Sequence, residues 1–215
     1  MKKYRYIFLT IILIYTQMMQ AQDIQSLIND AKIGVKGMLN LADMTVNPSH
    51  RIDSKILGGF GTFAQMSITD NISFQPELLF SLQGGVQHTF SDNFPDDEFV
   101  TDEKLNYLLV PLMGQYHFDQ FYIEAGLQPA FLLSAKIHNQ TLQNGKVILD
   151  YDMSITDQTN LFDLGFNIGA GYQINDKLFA GIRYNMGLLP INRYRKKATL
   201  KNSVISFSVG YVIFN

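Results

Sequence analysis

Asp163-Leu164-Gly165-Phe166-Asn167-Ile168-Gly169-Ala170-Gly171-Tyr172-Gln173-Ile174 alternates strictly between two kinds of residue. Leu164, Phe166, Ile168, Ala170, Tyr172 and Ile174 form one set. Asp163, Gly165, Asn167, Gly169, Gly171 and Gln173 form the other. A period of two marks a strand whose faces meet different surroundings. The rhythm recurs in residues 178–188, where Leu178, Ala180, Ile182, Tyr184, Met186 and Leu188 oppose Gly181, Arg183, Asn185 and Gly187. It recurs again near the C-terminus, where Ile205, Phe207, Val209, Tyr211 and Ile213 oppose Ser206, Ser208 and Gly210. A soluble sandwich also alternates, but here the second face is rich in Gly, Ser, Asn and Gln. In a small transmembrane barrel the apolar face meets lipid and the inner face is polar and tightly packed. Glycine suits such an interior, because large side chains from opposite walls would collide there.

Working outward from these segments predicts eight strands, near 32–42, 54–67, 71–84, 104–117, 120–134, 160–174, 177–189 and 202–214. Each is about 10 residues or slightly longer, enough for a tilted strand to cross a membrane. The connections at Ile68-Thr69-Asp70-Asn71, His117-Phe118-Asp119-Gln120 and Asn175-Asp176-Lys177 are tight and hold the Asx-type residues that close hairpins. The others, 43–53, 85–103, 135–159 and 190–201, are long. Short and long alternate without exception, as periplasmic turns and external loops do in outer-membrane barrels. With both termini in the periplasm, all four long connections lie outside. The expected fold is therefore an all-β, eight-stranded, antiparallel, up-and-down transmembrane β-barrel.

The N-terminus reads as an address. Met1-Lys2-Lys3-Tyr4-Arg5 is basic, residues 6–15 are an apolar run, and Ala21 is a small residue before Gln22. This is the pattern of a signal peptide. The apolar run is well short of the about 20 residues of a spanning helix. The expected organisation is a signal peptide over 1–21, a short segment over 22–31 and a barrel domain over 32–215. A length of 215 residues suits one domain. Charged residues make up 17% of the chain, below the usual quarter, which fits a surface partly in contact with lipid. A net charge of −2 gives no global field that would draw nucleic acid. Cysteine is absent, which excludes disulfides, thiolate metal sites, cysteine nucleophiles and lipid attachment at an N-terminal cysteine. Tryptophan is absent too, but 16 Phe and 11 Tyr can supply an interfacial girdle.

On the alternation above, Lys36, Gln75, Glu77, Glu124, Gln128, Asp163, Asn167 and Arg183 point inward. An eight-stranded barrel has little lumen, and side chains fill it. Buried charges must be paired. Lys36, Glu77, Glu124, Asp163 and Arg183 are thus expected to form a structural polar network, with Lys36 and Arg183 offsetting Glu77 and Glu124. The rival readings are an ion path or a small polar pocket. A glycosidase pair of carboxylates is disfavoured by the narrow interior. Pro76 and Pro111 each remove a ladder donor and are expected at local bulges.

Outside the barrel the signals are weaker. His50, His88, His117 and His138 are scattered without metal-ligand spacing. No phosphate loop or nucleophile elbow is present, and no cofactor is expected. Asp92, Asp96, Asp97, Glu98, Asp102 and Glu103 crowd the connection 85–103. They read as a solvated acidic loop, with calcium binding as the alternative. Arg193-Tyr194-Arg195-Lys196-Lys197 is basic and suits either that loop or lipopolysaccharide phosphates.

Several segments carry a family resemblance. They are Gly34-Val35-Lys36-Gly37, Phe74-Gln75-Pro76-Glu77-Leu78-Leu79-Phe80-Ser81, Tyr107-Leu108-Leu109-Val110-Pro111-Leu112-Met113-Gly114-Gln115-Tyr116, Phe121-Tyr122-Ile123-Glu124-Ala125-Gly126 and Asp163 to Tyr172. From about Ile33 to Phe214 the chain resembles the PorT-like outer-membrane β-barrel family of the Bacteroidetes. The resemblance implies an integral outer-membrane protein. A role in secretion is attached to one member of that family, and no residue here transfers it. The chain departs from the usual barrel ending, since Phe214 is penultimate and Asn215 follows.

The reading is therefore a monomeric outer-membrane barrel with a structural or surface-interaction role and no evident catalysis. Its expected partners are outer-membrane lipid, lipopolysaccharide and an extracellular ligand or protein met through the long loops. Three alternatives stay open, of which one, a component of a secretion system, is implied by the family resemblance alone. A soluble lipocalin-like barrel would invert the faces, placing Phe166 and Ile168 inside and Asn167 and Arg183 outside. A lipid-modifying enzyme would need a base beside a nucleophile such as Ser81, with His88 the nearest candidate.

Overall fold

The computed structural model describes residues 31–47, 53–90, 97–193 and 199–214. The expected signal peptide and most of the short segment after it lie outside the described residues. Ten strands are described: β1 (Lys32–Asn47), β2 (Asp53–Ser67), β3 (Ile72–Phe90), β4 (Asp97–Leu109), β5 (Leu112–Phe118), β6 (Phe121–Gln143), β7 (Lys146–Ser154), β8 (Phe162–Gln173), β9 (Leu178–Gly187) and β10 (Thr199–Phe214). A single 3-10 turn spans Thr156–Gln158. Among the described residues no helix is long and apolar enough to cross a membrane.

All pairings are antiparallel, and they close on themselves. β1 pairs with β2 on one side and with β10 on the other. β2 meets β3, β3 meets both β4 and β5, and these two meet β6. β6 meets β8, β8 meets β9, and β9 returns to β10. β4 and β5 are one stave, so the ring has eight, and closure leaves no barrel edge unpaired. β7 stands off the ring and, among the described residues, pairs only with β6.

The pause between β4 and β5 corrects the expected bulges. The register on β3 is the same before and after it: Leu79 faces Leu109, and Pro76 faces Leu112. The Glu77 N–H donates to Pro111 O at 2.9 Å, and the Val110 N–H donates to Pro129 O at 2.8 Å. Pro111 and Pro129 each sit where the carbonyl accepts a ladder bond, and Pro76 pairs with Leu112 in unbroken register. The missing N–H therefore costs half a pair of ladder bonds and no extra residue.

The outer face is apolar and exposed. Leu39, Phe60, Ile123, Leu127, Ile168, Phe207 and Val209 all point away from the lumen. Near the short turns, Tyr116, Phe118, Phe121 and Tyr172 form a ring-to-ring chain with centroids 5.0–6.5 Å apart. On the other side of the belt, Phe131 meets Phe162 at 5.6 Å. From Phe121 to Phe131, β6 rises about 33 Å along its own axis. At a barrel tilt of about 40° this is roughly 25 Å along the normal, the height of an outer-membrane apolar band.

The long connections are shorter than expected because strands continue past the lipid band. β3 runs on to Phe90, β4 starts at Asp97, β1 reaches Asn47 and β2 begins at Asp53. The expected loop 135–159 is instead a β-hairpin. β6 continues to Gln143, Asn144 and Gly145 adopt φ of 51° and 72°, and β7 returns. Two consecutive residues of positive φ, with Gln143 facing Lys146, make the two-residue turn that Asn-Gly favours. β3, β4, β6 and β7 thus form a four-stranded sheet standing beyond the membrane.

Candidate functional site

The lumen is the place where polar chemistry concentrates. Strand alternation sends Lys36 from β1, Glu77 from β3, Glu124 from β6 and Arg183 from β9 into one layer. Lys36 Nζ donates to Glu77 Oε1 at 3.0 Å. Arg183 reaches both carboxylates. Its Nη1 and Nη2 donate to Glu77 Oε2 and Oε1 at 2.9 Å each, and its Nε and Nη2 donate to Glu124 Oε1 and Oε2 at 2.8 and 3.0 Å. The fork of a guanidinium matches two carboxylates in this way and lysine does not. Two cations face two anions, so the layer is neutral, and all four residues are buried. Gly169 makes room for it: a Cβ there would stand 2.9 Å from Glu124 Oε1 and 2.6 Å from Ile182 O.

Polar neighbours extend the layer on both sides. Gln75 Nε2 donates to Glu77 Oε1 at 2.7 Å, and Gln115 Nε2 donates to Glu124 Oε2 at 3.1 Å. Towards the short turns, Gln65 and Ser73 donate to Gln115 Oε1, and Ser73 Oγ lies 2.8 Å from His117 Nε2. Phe63, Tyr122, Phe179 and Val212 fill that end of the lumen. Two of these rings lie over glycines directly opposite them, Phe179 over Gly210 and Tyr122 over Gly171. A Cβ at Gly210 would stand 2.1 Å from the Phe179 ring, and one at Gly171 would stand 2.2 Å from the Tyr122 ring.

Towards the end that carries the long connections, Asn167 Nδ2 donates to Gln128 Oε1 at 3.0 Å, and Asn185 Nδ2 donates to Asn167 Oδ1 at 2.6 Å. Ser206 donates to Asn40 Oδ1 at 2.7 Å, and Asn40 donates to Ser81 Oγ at 3.0 Å. A cavity of about 20 Å³ remains among Lys36, Asn40, Ser81, Gln128, Arg183 and Asn185. That is room for about one water. Above it lies an apolar plug of Leu79, Leu105, Tyr107, Leu109, Leu132 and Ile191.

Four of the five residues expected in the network therefore meet in one layer. Asp163 does not join them. It accepts from Asn202 Nδ2 at 2.9 Å and from the Leu164 N–H at 2.7 Å. Glu77 and Glu124 share a guanidinium in a filled lumen and do not flank an open cleft. The interior is also more apolar than expected: β4 turns Leu105, Tyr107 and Leu109 inward, and their faces could not be assigned from alternation alone. Asn40, Gln115 and Asn185 also complete the network. Asn185 lies on the same face of its strand as Arg183, and Asn40 on the same face as Lys36, which are legible signals; Gln115 carries none.

The remaining candidates are dispersed. Ser81 is inside the lumen, whereas His88 meets Glu98 at 2.7 Å on the sheet beyond the membrane. His138 Nδ1 lies 2.8 Å from Asp152 Oδ1, and His50 is outside the described residues. Among the described residues no group of three His, Asp or Glu side chains could hold a metal ion. Asp97, Glu98, Asp102 and Glu103 lie on strand β4, not in a loop. Asp102 accepts from Lys55 Nζ at 2.5 and 2.7 Å. Asp92 and Asp96 are outside the described residues. Of the basic run, Arg193 donates its N–H to Gln158 O at 3.0 Å, and residues 194–197 are outside the described residues.

Residues 20–193 match the outer membrane protein beta-barrel domain family. No curated protein matches the chain in sequence. Among solved structures, neisserial surface protein A aligns at 14% identity and a TM-score of 0.49, covering 85% of this chain and 99% of that one. Ail of Yersinia pestis, in complex with sucrose octasulfate, aligns at 8% identity and 0.44, covering 84% and 99%. CarO of Acinetobacter baumannii aligns at 10% identity and 0.43, covering 84% and 97%. With a closed eight-stave ring, an apolar exterior and a match spanning most of its length, the chain belongs to the outer membrane protein beta-barrel domain family and resides in the outer membrane.

Proposed function

We propose that this protein is a sealed, monomeric outer-membrane anchor that displays a β-sheet outside the cell for recognition. One observation carries the reading. β6 continues for ten residues beyond the lipid-facing Leu133 and turns back as β7, while the lumen below is packed with side chains. A conduit needs an open interior, and a display scaffold needs a rigid one. The neutral Lys36–Glu77–Arg183–Glu124 layer and the apolar plug around Ile191 supply rigidity by locking strands far apart in the chain.

Lipid surrounds the apolar belt on this reading. Lipopolysaccharide phosphates meet Lys104 and Lys136, which face each other across β4 and β6 just outside the belt. Asp102 Oδ2 already lies 3.8 Å from Lys104 Nζ, and the second cation opposite it leaves a place for a further anion. Within the family, the PorT-like group of the Bacteroidetes is supported by the wording of residues 74–81, 107–116 and 163–172.

An epitope inserted between Asn144 and Gly145 tests the reading. Antibody should label intact cells, and the barrel should keep its heat-modifiable migration. Labelling only after the outer membrane is broken would place the sheet on the wrong side and overturn it.

A further inference from the structure

The sheet outside the membrane ends on β7. Among the described residues, no strand pairs its second edge. A strand in that position leaves every second residue with an unpaired N–H and C=O facing outward. All nine residues of β7 are exposed. They include Val147, Ile148, Leu149, Tyr151 and Met153, each more than two-fifths accessible. Natural edges are usually blunted by proline, by a bulge that turns away, or by lysine along the strand. β7 has no proline, its one lysine, Lys146, stands at the turn, and its bulge, at Ile148, lies beside the turn and leaves Leu149–Ser154 in regular register with β6.

The two faces of β7 differ in chemistry. Met153, Tyr151 and Leu149 stand opposite Ile137, Asn139 and Thr141 of β6 and share their face. Asp152 and Asp150 stand opposite His138 and Gln140 on the other face. His138 and Gln140 reach these carboxylates at 2.8 and 3.1 Å, which fixes them at the strand surface. Asp152 remains about three-quarters exposed and Asp150 about half. A strand added alongside would place its side chains next to these two rows.

We propose that the open edge of β7 accepts an extended polypeptide segment that alternates apolar and basic side chains. This inference rests on the display role proposed above. Main-chain bonds to β7 supply the docking, and the side-chain rows supply the selectivity. The apolar residues of the segment cover Leu149, Tyr151 and Met153, and its lysines or arginines lie beside Asp150 and Asp152. A second copy in the same membrane does not satisfy this edge. Both copies would run β7 from its tip towards the bilayer, in parallel, which sets Asp150 and Asp152 beside their own equivalents. Like charges side by side oppose such pairing.

The test uses the full-length barrel in lipid nanodiscs, with blocked eight-residue peptides of alternating Val–Lys or Val–Glu sequence. Amide hydrogen exchange reads residues 146–154, and fluorescence anisotropy reads affinity. The Val–Lys peptide should slow exchange in β7 and bind about tenfold tighter than Val–Glu. The variant D150K/D152K, which alters exposed groups and spares the barrel, should reverse that preference. Equal affinity for both peptides, or no slowing in β7, would overturn the proposal. So would a β7 already protected without peptide, or one protected only as barrel concentration rises, since either result means that this chain or a second copy covers the edge. Labelled intact cells with no peptide binding would sink this inference alone. Peptide binding without cell-surface labelling would sink the display role.

Discussion

Replacing Glu77 by Gln is the sharpest perturbation of the barrel interior. The wild-type carboxylate is fully buried and accepts from Lys36 at 3.0 Å, from Arg183 twice at 2.9 Å and from Gln75 at 2.7 Å. The amide keeps the shape and removes the charge. Two cations then face Glu124 alone, and the layer carries +1 in a place shut off from bulk water. Breaking a buried ion pair from one side costs about 3–5 kcal/mol. That lowers the folded-to-unfolded ratio by roughly 150-fold to 4,000-fold. Lys36→Met added to Glu77→Gln restores neutrality, because Arg183 then balances Glu124. The double variant should recover about 2 kcal/mol over Glu77→Gln alone, within the range of coupling energies between contacting residues. Urea unfolding in lipid vesicles, followed by far-UV circular dichroism and by the heat-resistant gel band, measures all four corners of the cycle. A Glu77→Gln barrel within about 0.5 kcal/mol of wild type, which is the usual scatter of surface substitutions, would refute the ion-pair account. So would losses that simply add in the double variant.

Gly171→Val drives a branched side chain into the Tyr122 ring, and Gly210→Val does the same against Phe179. Overpacking of this kind should cost about 1–3 kcal/mol by the same unfolding assay, and a neutral result would mean that the rings are free to move. Gly145→Val strains a residue held at φ 72° in the Asn-Gly turn, and it should raise hydrogen exchange in residues 140–150 while leaving residues 162–173 unchanged. Spin labels at Phe166 and Asn167 should part sharply, the first relaxed by oxygen in lipid and the second shielded from both oxygen and a water-soluble quencher. Reversed accessibilities would restore the lipocalin-like alternative.

The barrel was legible because each of its causes is local. The alternation of Leu164–Ile174 against Asp163–Gln173, and the tight turns at Asp70-Asn71 and Asn175-Asp176, are written in neighbouring residues. The inward set was legible for the same reason, and Lys36, Glu77, Glu124 and Arg183 are all buried as alternation requires. Which of them meet is a different matter. Arg183 and Glu77 are 106 residues apart, and their contact depends on registers summed around the ring. Asp163 shares their face on its strand but sits at another height, so it pairs with Asn202 instead. The hairpin at Asn144-Gly145 was within reach. Asn-Gly between Thr141-Leu142 and Val147-Ile148 is a strong turn signal inside the connection 135–159. Extension of β3 and β4 through the acidic residues ran against composition, since Asp and Glu are poor strand formers. Pairing with β6 outweighs that preference.

The central claim is a barrel closed along its axis, with its role outside. Single-channel recording in a planar bilayer tests it most directly. The account predicts that the inserted, heat-modifiable barrel passes no stable current step. A reproducible conductance carried by the folded chain would contradict it, and would turn Lys36, Glu77, Glu124 and Arg183 from a seal into an ion path.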